Sequence, residues 1–86
     1  MSAQDTAAII AFKARMTAVA EKNNDEFATI ITVGDGGYKI EVIETADKHT
    51  FLTGSGATVQ DATASALANL PLALKHWSYE DSNVTV

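Results

Sequence analysis

Apolar residues recur every three or four positions in the first part of the chain. They fall on one face of an α-helix, which predicts an amphipathic helix over residues 2–22. Ser2 and Asp5 have the spacing of a capping box at its start. The asparagines of residues 23–25 tolerate the left-handed conformation that ends helices. The predicted apolar face consists of Ile9, Phe12, Met16 and Val19.

The middle of the chain changes to the alternating pattern of β-strands. Residues 26–33 are rich in Phe, Thr, Ile and Val, and residues 38–43 alternate between apolar and polar side chains. The glycine-rich residues 34–37 between them can supply positive φ angles, so the two runs predict a β-hairpin. Phe27, Thr29, Ile31 and Val33 are predicted to share one face of the first strand, and Tyr38, Ile40 and Val42 one face of the second.

A third strand is predicted over residues 49–53, after a turn at residues 45–48. Gly54-Ser55-Gly56 then interrupts the strand pattern, and we expect it to form a loop. Thr58 and Asp61 have the spacing of a second capping box, which predicts that a helix begins there.

The second helix carries apolar residues at helical spacing but also contains the only proline of the chain. Pro71 has no backbone N–H group to donate and clashes with the carbonyl group four residues earlier. We therefore expect either a kink near Leu67 or two short helices. Residues 78–86 end in a β-prone Val-Thr-Val and are expected to form a flexible tail or an extra edge strand. The predicted apolar positions are Ala62, Ala66, Leu67, Leu70, Leu74 and Trp77.

This order of elements predicts one α+β domain over residues 1–86. Its core is a three-stranded antiparallel meander packed against an N-terminal and a C-terminal helix, in the order α-β-β-β-α. Helices on one face of a sheet leave the other face open, and Ile30, Ile43 and Leu52 are expected there. Because exposed apolar patches often mark interfaces, a homodimeric or structural domain is one alternative function.

The net charge of the chain limits the classes of molecule that it is expected to bind. The chain has 11 acidic and 6 basic residues, a net charge of −5, and no cysteine. An acidic protein is a poor ligand for phosphates, so we expect no direct nucleic-acid or membrane binding and a protein partner with a basic surface. Without cysteine there is neither a disulfide nor a thiolate zinc site.

We expect a cytoplasmic protein, since the N-terminus resembles no secretory leader and no apolar run reaches the roughly 18–20 residues of a membrane span.

No combination of residues predicts catalysis. His49 and His76 lie on different elements, and Asp47 beside His49 lacks further ligands for a metal. The acid pairs Glu41 with Glu44 and Glu80 with Asp81 are typical of solvated surfaces. We therefore expect a protein that is not an enzyme and that has no catalytic residue, metal or cofactor. Trp77 and Tyr79, beside His76, either anchor a partner or, in the case of Trp77, close the end of the core.

The order of helix, three strands and helix, with Gly54-Ser55-Gly56 leading into the alanine-rich residues 61–68, resembles the double-stranded RNA-binding domain over roughly residues 2–70. That family places phosphate-binding lysines at the start of its second helix. The matching positions here are Val59, Gln60, Asp61 and Thr63. The resemblance therefore implies the fold without the RNA-binding residues.

The small size, acidity and layout of the chain also resemble bacteriophage accessory proteins, including anti-CRISPR inhibitors, which often block a nucleic-acid-binding surface with acidic side chains. The resemblance implies a phage or mobile-element inhibitor that binds a basic partner. A second alternative is weak nucleic-acid binding through Lys13, Arg15 and Lys39. The predicted partner-binding residues are Asp35, Glu41, Glu44, Asp47, Trp77, Tyr79, Glu80 and Asp81.

Overall fold

A computed structural model of the protein describes residues 2–80 and residue 84. The elements are α1 (Ala3–Lys22), β1 (Phe27–Gly34), β2 (Gly37–Glu44), β3 (His49–Gly56) and α2 (Val59–Glu80). The strands form one antiparallel sheet in the order β1-β2-β3. The predicted α+β class, the meander and the order α-β-β-β-α are confirmed.

Local capping sets the limits of α1. The Ser2 hydroxyl accepts a hydrogen bond from the backbone N–H of Asp5 at 3.0 Å, and the Asp5 carboxylate accepts one from the backbone N–H of Ser2 at 3.4 Å. At the other end Asn23 caps the helix, and Asn24 adopts a φ of 54° that turns the chain toward β1. The predicted capping box and helix stop are therefore confirmed.

The two strand connections also follow the sequence. Gly34 pairs with Gly37 around a turn at residues 35–36, and Gly37 has a φ of 137° that other residues rarely adopt. Between β2 and β3, Lys48 has a φ of 57°, and the backbone N–H of His49 donates to Oδ1 of Asp47 at 3.1 Å. Asp47 thus orders its own turn.

The end of β3 differs from the prediction. The strand continues to Gly56, so Gly54-Ser55-Gly56 is not a loop. Its glycines serve packing between elements: a Cβ at Gly54 would lie 2.7 Å from the carbonyl oxygen of Ala62 on α2. Glycine is required here by the close approach of α2, which is a contact between residues distant in sequence. The local sequence alone therefore looks like that of a loop.

The second helix is continuous. Pro71 lies inside α2, so of the two expected outcomes, a kink near Leu67 or two short helices, the split into two helices does not occur. The residue is exposed, and a helix of 22 residues tolerates the loss of one backbone hydrogen bond. Residues 78–80 form the end of α2 instead of a tail, and Val84 lies in no strand. The rest of the predicted tail lies outside the described residues.

One hydrophobic cluster joins both helices to one face of the sheet. Leu52 belongs to it, with 3% of its surface exposed, because it pairs with Val42 on the helix side of the sheet. Its predicted place on the open face is therefore wrong, whereas Ile30 and Ile43 do lie on that face. Leu67, predicted as an apolar-face position, is 38% exposed. Among the described residues, neither helix has the length and apolar character of a membrane span. The core consists of Phe12, Met16, Val19, Ile40, Val42, Leu52, Ala62, Ala66 and Leu70.

Candidate partner-binding cleft

A β-bulge builds an aromatic wall at one end of the sheet. Val42 pairs with Leu52 and Ile43 with Thr50, so Phe51 is the extra residue in β3. The Phe51 ring stacks on Phe27 with centroids 4.9 Å apart, and Trp77 packs edge-on against Phe51 at 5.2 Å. Trp77 is half-buried. It closes this end of the core and remains partly accessible.

Beside this wall lies an open cleft of about 340 Å³ between β3 and the C-terminal half of α2. The amide of Asn69 donates to the backbone carbonyl of Thr53 at 2.9 Å and ties α2 to β3 there. A volume at the lower limit of ligand sites suits one long side chain or a small molecule better than a large cofactor. The chemically distinctive lining residues are Glu44, His49, His76, Trp77 and Glu80.

Three carboxylates, those of Asp25, Asp47 and Glu80, lie around Glu44, which is half-buried. The pKa of Glu44 is raised from 4.5 to about 7, and burial is the largest cause. A hydrogen bond to the side chain of Asp25, in which protonated Glu44 donates, and the negative charges of Asp25, Asp47 and Glu80 supply the rest of this increase in pKa. A positive charge placed among these groups would relieve their mutual repulsion.

Asp25 was not among the predicted binding residues, since it was assigned only to the stop after α1. Its role follows from strand pairing: Phe27 lies opposite Glu44, so the residues just before β1 come close to the end of β2. The backbone N–H of Thr45 donates to the carbonyl of Glu26 at 3.1 Å and extends the pairing in this direction. The hairpin register was the signal that could have identified Asp25.

The structure brings together only part of the predicted set. Glu44, Trp77 and Glu80 line the cleft, and Asp47 is close enough for its charge to act on Glu44. The remaining predicted residues do not join them. Asp35 lies in the β1–β2 turn at the opposite end of β2. Glu41 lies on the open face, where it accepts a hydrogen bond from Thr50 Oγ1 at 2.9 Å. Tyr79 is 77% exposed and does not line the cleft, and Asp81 lies outside the described residues.

The three cationic residues suggested for nucleic-acid binding do not form one patch. Lys13 and Arg15 are exposed on α1 but lie two positions apart, so they point to different sides of that helix. Lys39 lies on the open face of the sheet, away from both helices. A phosphate backbone therefore meets no continuous basic surface formed by these residues.

The cleft combines imidazole, carboxylate and aromatic side chains. Within the described residues, neither imidazole of His49 and His76 forms a hydrogen bond, and no three His, Asp or Glu side chains are grouped to hold a metal ion. The hydroxyl of Thr50 donates to Glu41 on the open face. The arrangement offers carboxylates and an aromatic ring, which together suit a cationic group.

No protein family, curated protein or solved structure matches this chain. A proposal for its function therefore rests on the contacts and charges of the cleft.

Proposed function

We propose that this protein is a non-catalytic binding module that recognises a basic segment of a partner protein. The observation that carries the proposal is the convergence of Glu44, Glu80 and neighbouring acids beside the ring of Trp77 in one cleft. Interfaces are commonly anchored by a few residues of this kind, with an aromatic ring or a desolvated charge at the centre.

A lysine or arginine side chain fits the chemistry of this cleft. Carboxylates form short, charge-assisted hydrogen bonds with a guanidinium or ammonium group. The face of a tryptophan ring attracts the same cations when they lie within about 6 Å of its centroid. The net charge of −5 would steer a basic partner toward the protein before contact.

The proposal extends to the kind of partner. The basic surface belongs to a nucleic-acid-binding protein, and the cleft competes with phosphates for it, as acidic phage inhibitors of the anti-CRISPR type do. Two features support this extension. The element order resembles the double-stranded RNA-binding domain, and Asp61 stands where that family places a lysine. The protein thus combines an element order like that of an RNA-binding domain with a negative charge, where that family has a positive one.

The test is a titration with a short arginine-rich peptide at pH 8 and low salt. Trp77 is the only tryptophan of the chain, so its fluorescence reports binding at the cleft directly. We expect Glu44→Gln and Glu80→Gln each to weaken binding about fivefold, which corresponds to about 1 kcal/mol for a solvent-accessible ion pair.

Asp35→Asn is the matched control, because it removes the same charge from an exposed turn at the far end of β2. The peptide should bind this variant almost as tightly as the wild type. Equal losses in all three variants would mean that binding is diffuse and would contradict a defined site in the cleft. A neutral peptide of the same length should leave the fluorescence unchanged.

A further inference from the structure

Among the described residues, the outer edge of β1 pairs with no other strand. β1 pairs there with β2 alone, and its register with that strand is unbroken over all eight residues. The strand reads Phe-Ala-Thr-Ile-Ile-Thr-Val-Gly, with no charged residue and no proline. Native proteins usually protect such edges with charges, prolines or bulges, because an open edge pairs with other chains. The other edge strand, β3, contains a bulge and borders the cleft.

One hydrogen bond at the end of the hairpin shows which residues of β1 bond to β2 and which direct their backbone groups outward. The bond from Thr45 N–H to the Glu26 carbonyl makes that pair hydrogen-bonded, and such pairs alternate along antiparallel strands. Residues 28, 30 and 32 therefore bond to β2, and residues 27, 29, 31 and 33 direct their N–H and C=O groups outward. Outside the strand ladder, no hydrogen bond of the described chain involves the backbone of these four residues.

We infer that β1 pairs antiparallel with β1 of a second copy of this chain, about a two-fold axis at Ile30. The outward residues must form the hydrogen-bonded pairs, which restricts the possible registers. Centring the axis at Ile30 pairs Phe27 with Val33 and Thr29 with Ile31 of the second copy. Ala28 then lies opposite Thr32, and the two copies of Ile30 lie opposite each other.

This register covers the exposed apolar side chains of the strand. Ile30 is 42% exposed and Val33 is 71% exposed. Pairing places Ile30 against its own copy on the open face and Val33 against Phe27 on the helix face. No charged side chain lies within the paired segment, so no like charges face each other there, and repulsion between the copies comes only from acids outside the strand. These features favour a second copy over an unrelated strand.

Cysteine cross-linking tests the axis directly, since the chain has no native cysteine. Ile30→Cys would bring two thiols together in a non-hydrogen-bonded pair, whose Cα atoms are about 4.5 Å apart and within disulfide range. Thr32→Cys lies on the same face of the same strand, but its two copies would be separated by about 13 Å along the strands. We expect mild oxidation to convert most of the Ile30→Cys protein to a covalent dimer and little of the Thr32→Cys protein.

Sedimentation of the uncross-linked protein provides a second test. We expect a concentration-dependent dimer whose dissociation constant rises at least tenfold in Ile30→Lys, because two ammonium groups would meet at the axis. Ile10→Lys, on the exposed face of α1, is the control and should leave dimerisation unchanged. Equal cross-linking of both cysteine variants, or a strictly monomeric wild type at high concentration, would overturn the inference.

Discussion

Glu44 is the residue whose surroundings differ most from those of an ordinary surface acid. Its carboxyl group is half-buried at the end of β2 and has the acids Asp25, Asp47 and Glu80 around it. Burial is the largest cause of its raised pKa, with the hydrogen bond to Asp25 next. The raised pKa means that the ionised carboxylate of Glu44 is less stable in the folded protein than in water. Groups with such perturbed pKa values are common at functional sites.

The raised pKa of Glu44 makes the stability of the fold depend on pH. Between pH 4.5 and about 7, folded Glu44 retains a proton that the unfolded chain has released. The folded state therefore binds more protons, and stability decreases as the pH rises through this window. We expect the contribution of Glu44 to the free energy of unfolding to fall by about 1–2 kcal/mol from about pH 5 to pH 8. Screening by water makes this less than the full pKa shift implies.

Urea denaturation across this pH range measures the effect. Glu44→Gln cannot ionise, so it should be more stable than the wild type at pH 8 and should lose less stability between the two pH values. Asp35→Asn, in the exposed turn, should follow the wild-type curve. Parallel curves for the wild type and Glu44→Gln would show that this carboxyl group titrates normally.

At the scale of elements, the close approach of α2 to β3 depends on Gly54. The residue is buried, and a Cβ there would lie 2.6 Å from the Cα of Ala66 and 2.7 Å from the carbonyl oxygen of Ala62. Both contacts are with backbone atoms, which cannot rotate away as a flexible side chain does. We expect Gly54→Ala to destabilise the protein by about 2–3 kcal/mol through overpacking.

Gly36 provides the control for that substitution. It lies in the β1–β2 turn, and a Cβ there would meet no atom within 4 Å. Gly36→Ala should change the free energy of unfolding by less than about 0.5 kcal/mol, as expected for an exposed position. Chemical denaturation of both variants tests the contrast. Similar stabilities would mean that α2 can move away from β3 at little cost.

The elements that the sequence predicts correctly depend on neighbours in the chain. The capping box of Ser2 and Asp5 and the glycine turn between β1 and β2 involve residues at most a few positions apart. The errors concern contacts between distant residues. Gly54 resembles a loop residue until α2 is packed beside it, and Leu52 resembles an open-face residue until the bulge at Phe51 is known. The fold was therefore largely predictable, but its packing was not.

The cleft could be predicted only in part for the same reason. Glu44 and Asp47 are near each other in sequence, so their proximity needs only the turn between β2 and β3. Glu80 reaches them because α2 continues to residue 80, where the sequence predicted a tail or an edge strand. Asp25 joins them through the register of β1 with β2. The composition gives the sign of the net charge, but only the folded structure shows that the acids cluster around Glu44.

For the whole molecule, the cleft and the open edge of β1 lie at opposite sides of the sheet. The cleft lies between β3 and α2, whereas β1 is the strand farthest from β3. A dimer that forms through β1 would therefore carry one acidic cleft at each outer side. Two linked clefts would bind a partner with repeated basic sites more tightly than one cleft does, provided that the spacing allows both to engage.

The two surfaces should respond to salt with opposite signs. Peptide binding at the cleft joins opposite charges, so screening weakens it; the Debye length falls from about 10 Å at 0.1 M to about 3 Å at 1 M salt. Dimerisation brings together two copies that each carry a charge of −5 through an uncharged strand, so screening should strengthen it. We expect the dissociation constant of the peptide to rise and that of the dimer to fall over this range, measured by Trp77 fluorescence and by sedimentation. A dimer that dissociates as salt increases would be held by charged contacts elsewhere and would contradict pairing through β1, whereas salt-independent peptide binding would contradict recognition by the acids around Glu44.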